Sequence, residues 1–556
     1  MSPYIAWQSS NMELLTILLA VTSLCVLLYR YCVATYTYWK RKGVTHIKPS
    51  PLFGNVKDII LRRRCPALVF QQLYNKSQDY CFFFVGSPNF LVLLNKVCLL
   101  PLPTIRSLIL YFLVFLGERY VGIYQARTPV LLLRDPELIK HILVKDFSCF
   151  PSKGIKTDFK GDPLSCHLFN LEGDQWRYIR TKLTPAFTSS KLKIVYQHID
   201  HYSEKLIEHL EDQLKTNDVL DVYSELVNFT MDATGSCAFG IEVDAMTDEN
   251  SEISKMGHRV IEANGDTFME ILNSISPRLT RLLKVSMFSE DVTRFFKNII
   301  VEIIRYRDEN QVMKKDVMQL LMLARNKTCV ADDPVHPATA DKDEDFDEVM
   351  LAAQAAMFLR AGSEKASTTM SFCLNELAHQ PELQSQLRAE VEHAKEEHGG
   401  KLTYEIVLGL KLMDRVVAET LRKYPLESNI YRVCRKPYTI PDSSVELEEG
   451  TKVLIPVYAL HHDPQNYPDP ERFDPDRFSE DNKNSRDHFT YLPFGEGPRV
   501  CIGFRYGVLQ VKVGLAALLL NYEFSTCALS TLRPEFNSRT WVTSPANGMW
   551  LKVTKR

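Results

Sequence analysis

The sequence predicts a mainly α-helical chain with a smaller β portion, folded as one globular body behind an N-terminal transmembrane helix. Three patterns predict it. Beyond about Asp174, apolar residues recur at three- and four-residue spacing over long stretches; alternating β-branched and aromatic runs are confined to the region before Phe147 and to the last quarter of the chain; and one charge-free apolar run lies near the start.

The composition agrees. Of 556 residues, 45% are hydrophobic and 66 basic side chains face 68 acidic ones, which excludes a disordered, collagen-like or disulfide-stapled chain. The formal net charge of −2 gives no global basic field, so no nucleic acid is expected as a partner. No Pro/Gly/Ser-rich linker splits the chain into domains. The 13 cysteines form no CxxC pairs and read as reduced thiols facing a reducing compartment.

Residues Leu14 to Tyr29 carry no charge, and the apolar character continues past Arg30 to Trp39 before Lys40, Arg41 and Lys42. That is enough to span a bilayer, and the cations that follow place Met1 in the lumen and the bulk of the chain in the cytosol. Residues 1–39 are therefore assigned to a signal anchor rather than a cleaved peptide, and a start at Met12 would keep it. Residues 40–55, which include Lys48-Pro49-Ser50-Pro51, form a basic, Pro-rich linker, and 56–556 form the body.

Within the body, Glu118 to Phe147 reads as short strands (YVGIY, PVLLL) followed by a helix near Pro136 to Val144. Amphipathic helices follow over Lys191 to Leu214, Val222 to Phe239, Val292 to Tyr306, Asp347 to His379, Pro381 to His398 and Tyr404 to Lys423. The acidic stretch Asp332 to Glu348 reads as a solvated loop. Strand-like alternation returns over Thr439 to Pro456, and Trp541 to Val553 reads as a hairpin turning at Pro545 to Gly548.

Chemistry concentrates in Phe494-Gly495-Glu496-Gly497-Pro498-Arg499-Val500-Cys501-Ile502-Gly503, ahead of a helical run from Tyr506 to Leu520. A cysteine in a Gly-rich turn before a helix suits a thiolate iron ligand, because freed backbone N–H groups and the helix N-terminus both stabilise the sulfur's negative charge. A buried apolar thiol is the plain reading for most of the other cysteines. This decapeptide resembles the haem-binding signature of the cytochromes P-450, FxxGxRxCxG, with Phe494, Gly497, Arg499, Cys501 and Gly503 at its fixed positions.

Three further motifs fall in that family's order. Glu419-Thr420-Leu421-Arg422 matches ExxR, and the resemblance implies a structural network of Glu419 and Arg422 with Arg472 of Pro470-Glu471-Arg472-Phe473. Trp176 and Arg180 match WxxxR, which implies that Trp176, Arg180 and Arg499 hold the haem propionates. Ala361-Gly362-Ser363-Glu364-Lys365 matches the oxygen-binding helix in part: Glu364 fits, but Lys365 stands where the family has a threonine that helps deliver protons, and Arg360 stands where it has an apolar residue. Lysine donates but cannot accept a hydrogen bond, so Thr368, one turn on, is the candidate substitute. Glu364 can pair well with only one of the two cations.

The resemblance covers roughly Lys40 to the C-terminus and points to the microsomal, xenobiotic-metabolising branch of insects. It implies haem b, NADPH electrons through a cytochrome P-450 reductase, cytochrome b5 as a further partner, and residence on the endoplasmic reticulum membrane. It also implies insertion of one oxygen atom from dioxygen into lipophilic small molecules. Substrate contacts are expected after Ser152, around Gln354 to Gly362, Leu426 to Tyr431 and Thr543 to Gly548. Two classes stay open: a working monooxygenase, and a haem-thiolate binding protein with impaired turnover caused by Arg360 and Lys365. One segment fits nothing: 79–117 is an apolar insertion with no acidic residue after Tyr80, and it interrupts a helix-to-strand passage, so a retained intron is the expected explanation.

Overall fold

The computed structural model describes all residues except 1–2, 86–117, 156–158, 160, 249, 263–285, 315 and 328–347. The longer helices are α1 (Pro3–Val33), α2 (Pro66–Val85), α3 (Gly173–Leu183), α4 (Ser189–Leu214), α5 (Val222–Phe239), α6 (Glu252–Glu262), α7 (Glu290–Glu309), α8 (Val317–Lys327), α9 (Glu348–Ala378), α10 (Pro381–Glu397), α11 (Lys411–Lys423) and α12 (Phe504–Asn521). Strands β1 (Tyr120–Gln125), β2 (Thr128–Leu133), β4 (Ile430–Val433) and β7 (Lys452–Ile455) form one sheet in the order β1-β2-β7-β4, in which only the β2–β7 pair is parallel. Strands β5 (Tyr438–Thr439) and β6 (Glu446–Leu447) pair with each other. A second sheet has the order β3-β9-β8, from Val219–Asp221, Trp550–Lys555 and Tyr522–Ser525.

Helix α9 is the spine. It is buried along most of its length and packs against α5, α7 and α12. Close approach to α5 demands a small residue at the crossing: a Cβ on Gly362 would lie 2.7 Å from Thr234 Cγ2.

Two elements depart from the sequence reading. The helix expected over Tyr404 to Lys423 breaks at Leu410, whose backbone is extended (ψ 99°). Glu390 of α10 accepts the Leu412 and Met413 N–H groups at 2.7 and 3.0 Å, and buried Lys512 of α12 donates to the Leu408 and Leu410 carbonyls, so both ends of the break are capped by side chains from other helices. The C-terminal hairpin does not form. Only Trp550–Lys555 is a strand, and its partners are β8 and β3; Val542 instead bridges to Glu427 and Pro545 to Phe536. Local alternation could not reveal partners so distant in the chain.

The N-terminal boundary also moves. In α1, residues 16–33 are long and apolar enough to cross a membrane, with mean hydropathy 1.9, and almost all of that stretch is exposed. Trp39, placed at the end of the anchor by the sequence, lies fully buried beneath β1 with its indole N–H donated to the Ile123 carbonyl at 3.0 Å. The linker is no free spacer either: Ser50 and Gly54 exchange backbone hydrogen bonds, and Asn55 donates to the Tyr124 carbonyl. Of segment 79–117, only the helical run to Val85 lies within the described residues, and the loop expected over 332–348 falls almost wholly outside them.

A buried histidine pair should make the body acid-sensitive. His461 Nε2 accepts from the Leu492 N–H at 2.9 Å, and its neighbour His462 stacks on Tyr458 at 4.0 Å. Burial pushes His462 down to about 3 and His461 well below the usual imidazole value. A folded value below the unfolded one gives stability that is complete above pH ~6.5 and is lost as pH falls from there toward 3. The unfolding free energy from urea titration should therefore be about 2 kcal/mol lower at pH 5 than at pH 7 from His462 alone, and His462→Gln should weaken that dependence, leaving the part due to His461.

Candidate active site

The cysteine loop is built by backbone. Cys501 N–H donates to the Phe494 carbonyl at 3.0 Å and Val500 N–H to the Gly497 carbonyl at 3.0 Å, so the chain folds back on itself and presents an exposed Cys501. Gly497 is required twice over. Its φ is +76°, and a Cβ there would sit 2.0 Å from the Leu143 carbonyl oxygen. Gly497→Ala should cost more than ~2 kcal/mol and lower haem retention, checked by haem content per chain and by thermal unfolding. Gly503 has an ordinary φ of −96° and stands immediately before α12, and a Cβ there would touch Phe187 at 3.5 Å. The Phe494 ring lies 6.0 Å from Phe504.

Helix α9 faces this loop. From Met350 to Ala378 its partly exposed residues are Met357, Phe358, Arg360, Ala361, Gly362 and Lys365, most of them at three- and four-residue spacing on one stripe of an otherwise buried stretch. Phe358 meets Phe187 at 6.0 Å, and Phe187 in turn neighbours Gly503, so the stripe and the loop share one internal cleft.

Cations crowd one edge of that cleft. Arg180 donates to the Val500 carbonyl (2.8 Å), and Arg499 donates to the Pro151 and Leu171 carbonyls and stacks over Trp176 at 4.1 Å. Trp176, Arg180 and Arg499 thus come together as expected. Two cations the motifs did not flag join them: Arg432 on β4, and Lys153, whose ammonium lies over the Phe169 ring. Burial, then Arg499, lowers the Arg432 guanidinium to about 9; burial, then Arg432, holds the Lys153 ammonium well below the usual lysine range. Arg499 is lowered to about 10, mainly by burial. The buried Nε of Arg432 has no hydrogen-bond partner within the protein. Largely buried, mutually repelling donors, one of them with an unmet hydrogen bond at Arg432 Nε, fit a group that brings two carboxylates to this edge.

Behind the loop, Glu419 and Arg422 of α11 are fully buried and joined by two hydrogen bonds of 2.7 and 2.8 Å. Arg422 also donates to the His461 and Pro470 carbonyls, and Glu419 accepts the Asp474 N–H. Arg472 departs from expectation. Its side chain is exposed, and only its carbonyl approaches Arg422, at 3.4 Å. The second cation at Glu419 is Arg477, 3.5 Å away and nearly buried. The reason is local: Pro475–Phe478 forms a tight 3-10 turn that points Arg477 inward, whereas Arg472 sits in the exposed turn before it.

The oxygen-side residues divide. Glu364 is buried and pairs with Arg360 at 3.7 Å, and burial holds its carboxyl above the usual range. Lys365, on the cleft stripe, pairs with Glu427, a residue the motifs did not flag although it lies inside the expected substrate span 426–431. Each cation of α9 therefore has its own carboxylate, which resolves the conflict the sequence posed over Glu364. Thr368, the candidate substitute relay, lies on the packed side of α9. It is fully buried, and its hydroxyl donates to the Glu364 carbonyl at 2.6 Å and interacts with Tyr223 of α5.

A family model described as "Cytochrome P450" matches residues 107–552. The chain is 34% identical over 546 residues to cytochrome P450 6k1 of Blattella germanica, covering 97% of each, and 35% identical over 550 residues to probable cytochrome P450 6a13 of Drosophila melanogaster, covering 97% of this chain and 99% of that one. It is 33% identical over 547 residues to cytochrome P450 6a2 of the same fly.

The chain belongs to the cytochrome P450 family.

In this P450, family membership makes haem the cofactor and monooxygenation the class of chemistry. The residues present fit that group: Cys501 as an exposed thiol in a backbone-built loop, and Trp176, Arg180, Arg432, Arg499 and Lys153 as a cationic edge suited to carboxylates. Among the described residues no cluster of His, Cys, Asp or Glu could hold a separate metal ion.

Proposed function

We propose that this P450 inserts one oxygen atom from dioxygen into uncharged lipophilic small molecules, with Cys501 as the iron ligand and NADPH electrons delivered by a reductase at the cysteine-side face. The observation that carries the substrate class is the pairing of cleft charges: Arg360 with Glu364 and Lys365 with Glu427. A charged ligand would have to compete with one of these pairs, whereas a neutral lipophile would not. Haem, when bound, supplies the iron for reductive oxygen activation, and thiolate donation favours O–O cleavage.

The chain's own residues do the rest. Cys501 stays exposed while its N–H holds the loop closed; the cationic edge fixes the orientation of the group bound there; the apolar Phe187–Phe358 wall limits water. Helix α1 holds the body at the endoplasmic reticulum membrane, and cytochrome b5 fits the same cysteine-side face as the reductase.

The test is turnover with reductase, NADPH and isotope-labelled dioxygen on a panel of neutral lipophiles and their carboxylic-acid analogues. One labelled oxygen in the products of the neutral set supports the reading; labelled product from the acids alone refutes the substrate class. A second reading, haem binding with poor turnover, is favoured by one observation: Lys365 occupies the family's threonine position and the Thr368 hydroxyl is committed to backbone. Under it, NADPH is consumed to peroxide, and Lys365→Thr raises the ratio of product to NADPH several-fold. No rise would remove Lys365 as the limit.

A further inference from the structure

We propose that Glu427 is a positioning residue: its carboxylate tethers the Lys365 ammonium to the cleft wall and so keeps that amine from becoming a ligand of the haem iron. The inference rests on the haem-thiolate reading above and concerns a hazard that this chain creates for itself. A threonine hydroxyl is a poor iron ligand, but a lysine amine is a good one whenever its lone pair is free, and only protonation removes that lone pair. Lys365 stands on the one stripe of α9 that opens toward the cysteine loop, at the end of a flexible four-carbon stem.

The tether is well mounted. Glu427 lies between α11 and β4 on a segment held by backbone on three sides: its own bridge to Val542, the Thr543 N–H donated to the Leu426 carbonyl at 3.0 Å, and the Tyr458 N–H donated to the Ser428 carbonyl at 3.1 Å. The nearest other carboxylate on the helix, Glu364, is engaged by Arg360. Glu427 is therefore the group that answers Lys365 across the cleft. Burial opposes the charge on both; against it, Glu427 and then the Cys501 sulfur favour the ammonium, while Lys365 and Lys153 favour the carboxylate. Lys153 and Arg360 also bear on Glu427, so loss of its charge would leave Lys365 among cations.

Without the carboxylate, Lys365 would release its proton to solvent and its nitrogen lone pair would form a bond to iron, displacing whatever weak ligand held that position. The bond is visible without turnover. Absorption spectra of the ferric protein should show wild type converting on addition of a neutral lipophile, and Glu427→Gln locked in a nitrogen-ligated, low-spin form that the same lipophile no longer shifts. Lys365→Met/Glu427→Gln should return to the wild-type spectrum, and Glu427→Asp, which restores the charge, should resemble wild type. An unchanged Glu427→Gln spectrum would overturn the proposal, as would a nitrogen-ligated form that persists in the double variant. If Glu427→Gln and Glu427→Ala both fail to retain haem, recovery of haem in the double variant supports the proposal, and failure there too assigns Glu427 a purely structural role. The carbon-monoxide spectrum of reduced wild type separately tests the haem-thiolate reading, so the two can fail apart.

Discussion

Arg422→Leu yields a chain that does not retain haem and unfolds at markedly lower urea than wild type. The reason is burial without relief. Glu419 and Arg422 are both fully inaccessible, and removal of the guanidinium strands a carboxylate that only the Asp474 N–H and Arg477, 3.5 Å away, could still stabilise. Breaking one half of such a pair costs about 3–5 kcal/mol, a large part of a domain's net stability. The loss is not confined to the pair, because the same guanidinium holds the His461 and Pro470 carbonyls and so ties α11 to the segment leading into the cysteine loop. Arg422→Lys should fall between the two, keeping the charge and losing the planar fork. Arg477→Ala should cost more than Arg472→Ala, because only Arg477 reaches Glu419 with its side chain. Equal urea midpoints for wild type and Arg422→Leu would contradict this account.

Cys501→Ala leaves the fold and removes the chemistry. The loop is held by Cys501 N–H to the Phe494 carbonyl and by Gly497, and neither depends on the sulfur. Soluble, folded protein is therefore expected, with a urea midpoint close to that of the apo wild type. NADPH-dependent product formation should fall below detection, since the side chain that would bind iron is gone, while the cationic edge at Arg432 and Arg499 can still hold the porphyrin weakly. Product at more than a few per cent of the wild-type rate would move the iron ligand elsewhere.

How far the sequence carried these results differs by element. Helices with one apolar face were legible because their periodicity is local, and α4 and α10 appear within two residues of their expected bounds. The cysteine loop was legible because five spaced residues had to coincide. The assignment of Arg472 was not safe for a definite reason: the pattern Pro-x-Arg-Phe occurs twice, at Pro470 to Phe473 and at Pro475 to Phe478, and only the three-dimensional turn decides which arginine faces Glu419. Glu427 was illegible in kind. Its role depends on a contact with Lys365 made 62 residues away in sequence, and no local spacing encodes that pair. The same holds for the C-terminal strand, whose register is set by β3 and β8 rather than by a neighbouring turn. The burial of Thr368 was illegible for a packing reason, since close contact between α5 and α9 turns that side of the helix into core.

The proposed chemistry requires that Cys501 bind haem iron as a thiolate. The direct measurement is the absorption spectrum of the reduced, carbon-monoxide-bound wild-type chain. The account predicts the red-shifted Soret band characteristic of thiolate ligation, present in wild type and lost in Cys501→Ala. A band at the position typical of a histidine-ligated or protonated-thiol haem, in freshly prepared and fully folded protein, would contradict it.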